Sequence, residues 1–453
     1  MITGNAAREQ DWCGDFTYPG SSALFPGLCQ LSLSCGESAP FFTGDFLGSR
    51  NAALALMVIG KVPRSRFHLP AAMLQRLIAL SDPVFTCDGQ SLLFETFSGC
   101  CSTYAALRFH RDAFGEETRW NRGTSNVDFG EEFRSALAGV RQGDPLHCEA
   151  GTKELKLAVA GSSVIERKVK LPKRWTAAFN TLQCLLPELR QAGQFSAAAT
   201  RQFLAALPRR SGSQNAFFIS GSGAQVRVSA LPSDGALELR SPERLFLIES
   251  LLPAIDKMSL WISGTGAGSA WCFSGAGFDL TLVLSPAAWR GFSGEGASLQ
   301  ALAHPPPPEI LNEFLAALSW EDSLDAAEIS RRWRLDAVQA QSLLAHGAHQ
   351  GILGYDLPAG RYFHRRLPWS FAAEIKAPRL RKAKELVAAA AVDFNDRHPA
   401  AAAAVQDGKS RHQVFLEPES RCTCTHYAKH GLSRGPCSHL LAVELARKTQ
   451  EPR

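Results

Sequence analysis

Hydrophobic positions recur along this chain in two rhythms. Partial alternation at residues 91–97, 155–160 and 224–230 predicts strands, and apolar residues three and four apart at 67–79, 131–141, 174–191 and 197–206 predict helices between them. Residues 1–303 therefore read as a large mixed α/β N-terminal region, one domain or two fused, in which no fixed repeat shows. His304 and the four prolines after it (304–308) can neither extend a helix nor fill a central strand, because proline fixes φ and lacks the N–H, so they read as a linker.

Beyond the linker the rhythm changes. Residues 308–318 suit a helix and 323–333 a second, short one entered at a Ser or Asp cap. A third follows over 337–350, capped by Asp336 and stopped at Gly351. Residues 352–357 and 361–366 then flank Pro358-Ala359-Gly360, the turn chemistry of a β-hairpin. Helix, helix, turn, helix, hairpin is the order of a winged helix, so 309–369 is expected to be a winged-helix-like unit. In that fold the third helix enters the major groove, yet 337–344 carries no Lys or Arg, which makes docking the stronger role. Arg361, Arg365 and Arg366 on the hairpin are the expected phosphate contacts. Residues 370–405 read as a basic helical connector, with one helix from Arg379 to about Phe394 and a short second one over the alanines 400–404.

The last segment carries the sharpest chemistry. Cys422-Thr423-Cys424, twelve residues, then Cys437-Ser438-His439 supply three thiols and an imidazole as two short pairs. That is the donor set and spacing of a tetrahedral structural Zn2+ site, with bonds of about 2.0–2.3 Å. Residues 412–417 alternate as a strand, and 437–447 have helical spacing, so Cys437 and His439 open a helix whose free N–H groups favour the thiolate that zinc requires. Three thiolates and a neutral imidazole leave one negative charge, for which Arg421, Lys429 and Arg434 are the nearby offset in sequence. His426 and His430 lie in the spacer as weaker alternative ligands.

This Cys-x-Cys, spacer, Cys-x-His pattern with its flanks resembles the SWIM-type zinc finger, a ββα module, over residues 406–448. The resemblance implies a structural zinc, a role in binding protein or DNA, and no catalytic residue. Residues 97–104, 123–129 and 166–175 also look like motifs of bacterial SWIM-finger proteins whose genes lie beside a MoxR-type AAA+ ATPase and a von Willebrand factor A (VWA) protein. That likeness implies a place in an ATPase-driven chaperone or maturation system, with those two proteins as partners.

Composition adds boundaries. The chain has 453 residues, 45% of them hydrophobic and 20% charged, an ordinary globular balance. The start lacks the basic and apolar regions of a signal peptide and no apolar run is long enough to span a bilayer, so the expectation is a cytoplasmic protein without membrane contact. Nine of the 12 cysteines are scattered from Cys13 to Cys272 and read as buried small hydrophobes, Cys100 and Cys101 included, without disulfides. Asp128, between Val127 and Phe129, suits a cap or pairing with an arginine. Residues 361–453 hold 17 Lys and Arg against 9 Asp and Glu, while the whole chain has 48 against 43, so the basic character belongs to the C-terminal fifth and suggests an anionic partner there.

Signs of an enzyme are weak. Gly264–Ser269 is glycine-rich but no Lys-Ser or Lys-Thr follows, Ser220–Gly223 lacks the helix of a dinucleotide fingerprint, and no small-molecule substrate is indicated. The fold class expected is α+β multidomain: mixed N-terminal region, winged-helix-like unit and C-terminal ββα finger. The functional expectation is a non-enzymatic zinc-binding adaptor. Its alternatives are a DNA-binding regulator and an enzyme with a site hidden in residues 1–300.

Overall fold

The structure is a computed structural model. It describes residues 39–450 except 66, 68–82, 170, 172, 211–214, 223–224, 265–267, 287, 290, 293–295, 297–298, 304–305, 321–322, 368–377, 395–401, 418 and 433, and before them the short strand pair Ala23–Leu24 and Leu31–Ser32. The helix expected over 67–79 lies almost wholly outside the described residues.

Among the described residues, a strand, a helix and three further strands follow one another three times. The first unit is β1 (Phe42–Asp45), α1 (Ser49–Lys61), β2 (Val84–Cys87), β3 (Ser91–Phe97) and β4 (Thr103–His110). After the short β5 (Arg119–Trp120) come β6 (Gly123–Asn126), α2 (Glu131–Gly139), β7 (Leu146–Ala150), β8 (Glu154–Val159) and β9 (Ser162–Arg167). Helix α3 (Lys173–Leu185) leads to the third unit: β10 (Leu189–Ser196), α4 (Ala197–Ala206), β11 (Ala216–Ser222), β12 (Gln225–Ser229) and β13 (Leu237–Arg240). A 3-10 segment, Pro242–Ala254, then precedes the meander β14 (Lys257–Ser263), β15 (Ser269–Gly275) and β16 (Phe278–Leu284).

The first two units exchange their leading strands. β1 pairs with β7, giving a five-stranded sheet β9-β8-β7-β1-β5, while β6 pairs with β2. β10 likewise joins β14, so that eight antiparallel strands run β10-β14-β15-β16-β4-β3-β2-β6, two four-stranded halves meeting at β4 and β16. β11 forms a separate sheet, β12-β11-β13. Both faces of the large sheet are covered. One core holds Phe42, Phe94, Phe109, Phe129, Leu245 and Trp271 under the helices, and a second holds Phe97, Tyr104, Trp175 and Phe179 on the opposite side. This double burial is why β3 is buried at all seven positions, and why its pattern alternates only in part. Each fully buried phenylalanine contributes roughly 1.5–3 kcal/mol.

Pro187 ends the helix expected over 174–191 early. α3 stops at Leu185, a 3-10 turn holds Leu186–Glu188, and Leu189 already belongs to β10. Cys100 and Cys101 occupy not a strand but the tight turn between β3 and β4, where Cys101 N donates to Ser98 O and Cys101 has φ 56°. Asp128 does pair with an arginine, Arg64, at 3.3 Å.

The C-terminal third begins with α5 (Leu299–Ala303) and α6 (Pro308–Trp320), then β17 (Ser323–Leu324), α7 (Ala326–Arg332), α8 (Ala337–His349), β18 (Leu353–Asp356) and β19 (Arg361–His364), the strands ordered β17-β19-β18. Asp325 caps α7, and Asp336 with Gln339 forms a capping box at α8. This unit is seated on the body: Leu357 and Leu367 enter the Trp175 cluster, Asn180 of α3 bonds His349 at 3.2 Å, and Arg108 of β4 bridges Asp88 at 2.9 Å and Asp356 at 3.0 Å.

Last come α9 (Pro378–Ala388), the sheet β20 (Val392–Phe394), β21 (Ala402–Asp407), β22 (Ser410–Phe415) and β23 (Arg421–Cys422), then α10 (Thr425–His430) and α11 (Ser438–Gln450). Two sequence expectations fail here. α9 stops at Ala388 before a turn in which Ala390 has φ 49°, and the alanines at 402–404 are strand, since their hairpin with β22 buries Ala403 and Val405 in the core shared with α9 and α11. Among the described residues no helix is long and apolar enough to cross a membrane.

Candidate metal centre

Three elements bring the four donors together. Cys422 ends β23. Cys424 caps α10, its sulfur accepting from Tyr427 N at 3.4 Å. Cys437 precedes α11 and accepts from Leu440 N at 3.5 Å, and His439 sits in the first turn of that helix. All four residues are buried, and their ligand atoms lie within 4.8 Å of one another. Cys422 Sγ and His439 Nδ1 are 3.7 Å apart, the edge length of a tetrahedron with metal bonds of about 2.0–2.3 Å. Donor set and spacing therefore fit Zn2+. Among the described residues this is the one group of three or more His, Cys, Asp or Glu side chains close enough to hold an ion, and neither His426 nor His430 belongs to it.

The electrostatics favour a thiolate at one corner first. In the metal-free cluster the hydrogen bond from Cys422, with others from His439 and Leu440 N, holds the Cys437 thiol below the ordinary range, while the same sharing pushes Cys422 up. A metal, when bound, replaces that proton sharing and supplies the cross-link; the chain supplies donors already gathered.

Several residues around the cluster escaped the sequence reading. His439 Nε2 faces Asp407 Oδ2 at 3.3 Å, and Asp407 Oδ1 takes Lys382 Nζ of α9 at 2.9 Å. Arg379 of α9 donates through Nη1 to Arg434 O at 2.8 Å and Pro436 O at 3.0 Å, on the turn that delivers Cys437. His412 packs on the His439 ring, centroids 4.3 Å apart. The one available signal was charge, Arg379 and Lys382 in the basic run, and no sequence spacing ties it to the ligands. Of the expected charge offsets, Arg421 lies over the Phe415 ring at 5.9 Å and is exposed.

The expected phosphate contacts fare differently. Arg365 is fully buried against Glu95 of β3, which removes it from any phosphate-binding role, and Arg366 is half-buried with its N–H bonded to Thr124 Oγ1; Arg361 is exposed. In α8, residues 337–339 and Gln341 are exposed, and Ser342 to Ala345, Gly347 and Ala348 are buried. The glycine-rich 264–269 stretch connects β14 to β15, with 265–267 outside the described residues, and Ser220–Ser222 end β11. A small crevice of about 30 Å³, partly open, lies between the large sheet and the β18–β19 hairpin, lined by Tyr104, Arg108, Asp279, Thr281, Tyr355 and Asp356. Its charges are already paired: Arg108 with Asp88 and Asp356, Asp279 with His110 at 2.7 Å.

No curated protein matches the chain. Among solved structures it is similar to the proliferating cellular nuclear antigen of Entamoeba histolytica, at 13% identity and a TM-score of 0.34 over 55% of this chain and 99% of that one. A second is the PCNA2–PCNA3 complex of Sulfolobus tokodaii, at 11% identity and 0.37 over 55% of this chain and 100% of that one. Residues 412–448 match the SWIM zinc finger family, and the cluster of Cys422, Cys424, Cys437 and His439 within this segment fits Zn2+.

Proposed function

We propose that this protein is a cytoplasmic, non-enzymatic adaptor whose C-terminal zinc finger binds another protein. The carrying observation is the closed site: four buried protein donors within 4.8 Å leave no position open for substrate or water, which is the arrangement of a structural rather than a catalytic zinc. A metal used in this way holds a surface. Exposed Phe415, with Arg421 over its ring, belongs to that surface. In this reading 1–303 is the body, 309–369 a winged-helix-like docking unit and 406–448 a ββα finger. The partners are the MoxR-type ATPase and VWA protein that the resemblance implies.

A second reading, a DNA-binding regulator, draws on the 17 basic residues against 9 acidic ones in 361–453. The extensive burial of α8 and the seclusion of Arg365 favour the first reading. The zinc-loaded full chain, titrated against purified ATPase and VWA protein by calorimetry and against labelled single- and double-stranded DNA by anisotropy, separates the two. Protein binding that Cys437→Ser abolishes supports the adaptor. Silence toward both proteins, with DNA affinity that falls steeply with salt, replaces it by the regulator.

A further inference from the structure

We infer that Asp407, outside the segment that matches the finger family, is the positioning residue for the zinc ligand His439, and that α9 is part of the metal site. This rests on the four-residue cluster being a zinc centre. An imidazole that binds a metal through one nitrogen carries its single proton on the other, so whatever accepts that proton fixes both tautomer and ring angle. Here the two nitrogens are already sorted. Nδ1 of His439 points at the thiol cluster, 3.7 Å from Cys422 Sγ, and Nε2 points away at Asp407 Oδ2, 3.3 Å distant. Metal would therefore sit on Nδ1, and Nε2–H would donate a hydrogen bond to the carboxylate. Asp407 has little freedom to turn elsewhere: it ends β21 in register with Ser410 across the hairpin, and its second oxygen is held by Lys382 at 2.9 Å.

The same helix governs the other half of the pair. Arg379, one turn before Lys382, clamps the carbonyls of Arg434 and Pro436, the residues that lead into Cys437. α9 thus grips Cys437 through its preceding turn and His439 through Asp407. Leu380, Ala383 and Leu386 of that helix share a core with Cys422, Cys424 and Cys437, so the grip is backed by packing. Arg379, Lys382 and Asp407 complete a site whose four ligands all lie in 422–439.

The test is zinc affinity of the full chain by competition with a chromophoric chelator, with Co(II) absorption as a second readout of ligand geometry. Wild type should bind one equivalent. Asp407→Ala should weaken binding about 10- to 100-fold and shift the Co(II) bands, with a smaller loss for Lys382→Met. Arg411→Ala, which removes an exposed ion pair with Asp393 in the same sheet, should leave affinity unchanged. In a His439→Cys background, where four thiolates keep the metal without an imidazole, Asp407→Ala should lose its effect. An unchanged affinity for Asp407→Ala, or an equal loss with and without the imidazole, overturns the assignment. Wild type that takes up no zinc overturns the metal centre itself, and this inference with it.

Discussion

Arg365, just past β19, and Glu95 on β3 form an ion pair in which the two side chains are 0% and 2% exposed. The pair has further contacts, though Arg365 Nη2 is buried without a hydrogen-bond partner: Tyr104 Oη donates to Glu95 at 2.6 Å, Arg365 Nε donates to Leu353 O at 3.2 Å, and the guanidinium lies 4.7 Å from the Phe179 ring centroid. It joins the helix–hairpin unit to the large sheet. A buried pair gains little over apolar packing, but a buried charge left alone is expensive.

Removing one partner should therefore be much worse than removing both. Arg365→Ala or Glu95→Ala is expected to cost about 3–5 kcal/mol, and Arg365→Met with Glu95→Leu to recover most of it. Urea unfolding of the three variants measures this. Equal costs for single and double replacements would argue that the two charges are not coupled.

Metal removal should be felt beyond the finger. Cys437→Ser is expected to lower zinc from one equivalent toward none, since structural zinc supplies roughly 10–16 kcal/mol of apparent binding energy in finger peptides. The cysteine ligands share a core with Cys184 of α3 and Ala345 of α8, so hydrogen exchange should rise in α3 and α8 as well as in residues 402–450. His426→Ala should keep the metal. Full zinc content in Cys437→Ser, by elemental analysis, would refute the ligand set.

Acid should loosen the helix–hairpin unit. Burial, aided by the charges of Arg366 and Arg122, holds His364 well below the usual imidazole range, and burial also lowers His346 and His349. The folded state then takes up these protons less readily than the unfolded chain. Stability is full above about pH 6.5 and falls as pH drops from there toward the folded values, by up to about 1.4 kcal/mol per pH unit for each histidine. Melts between pH 7.5 and 5 should show that slope, and His364→Gln should flatten it. A stability that rises on acidification would contradict the assignment.

Gly435 is a fixed point of the metal turn. Its φ is +74°, and an added Cβ would lie 2.3 Å from Gly296 O, a backbone atom that cannot step aside cheaply. Gly435→Ala should cost at least about 1–2 kcal/mol from conformation alone, with the clash added, and should speed zinc loss to a chelator by displacing Cys437. Thermal melts and chelation kinetics check both.

Features set by neighbours in sequence were legible in it, and features set by distant partners were not. Asp336 was legible as the cap of the helix it opens, and the four zinc donors lie within one short segment. The alanines at 402–404 misled because helix propensity is a weak prior that one buried hairpin overrides. Arg365 looked like a phosphate contact because Glu95, which claims it, is 270 residues away. Asp407 and His439 meet only after β21, β22 and α11 have packed, so nothing local marks the carboxylate as part of the site.

The exchange of leading strands sets a timetable for synthesis. β1 leaves the ribosome long before β7, and β4 must wait for β16 to cover its open side. Until Leu284 has emerged, β4 offers a row of unmatched N–H and C=O groups, the kind of edge that recruits stray strands. A chain that ends between Asn126 and Phe278 would then carry a half-sheet with an adhesive rim at β4.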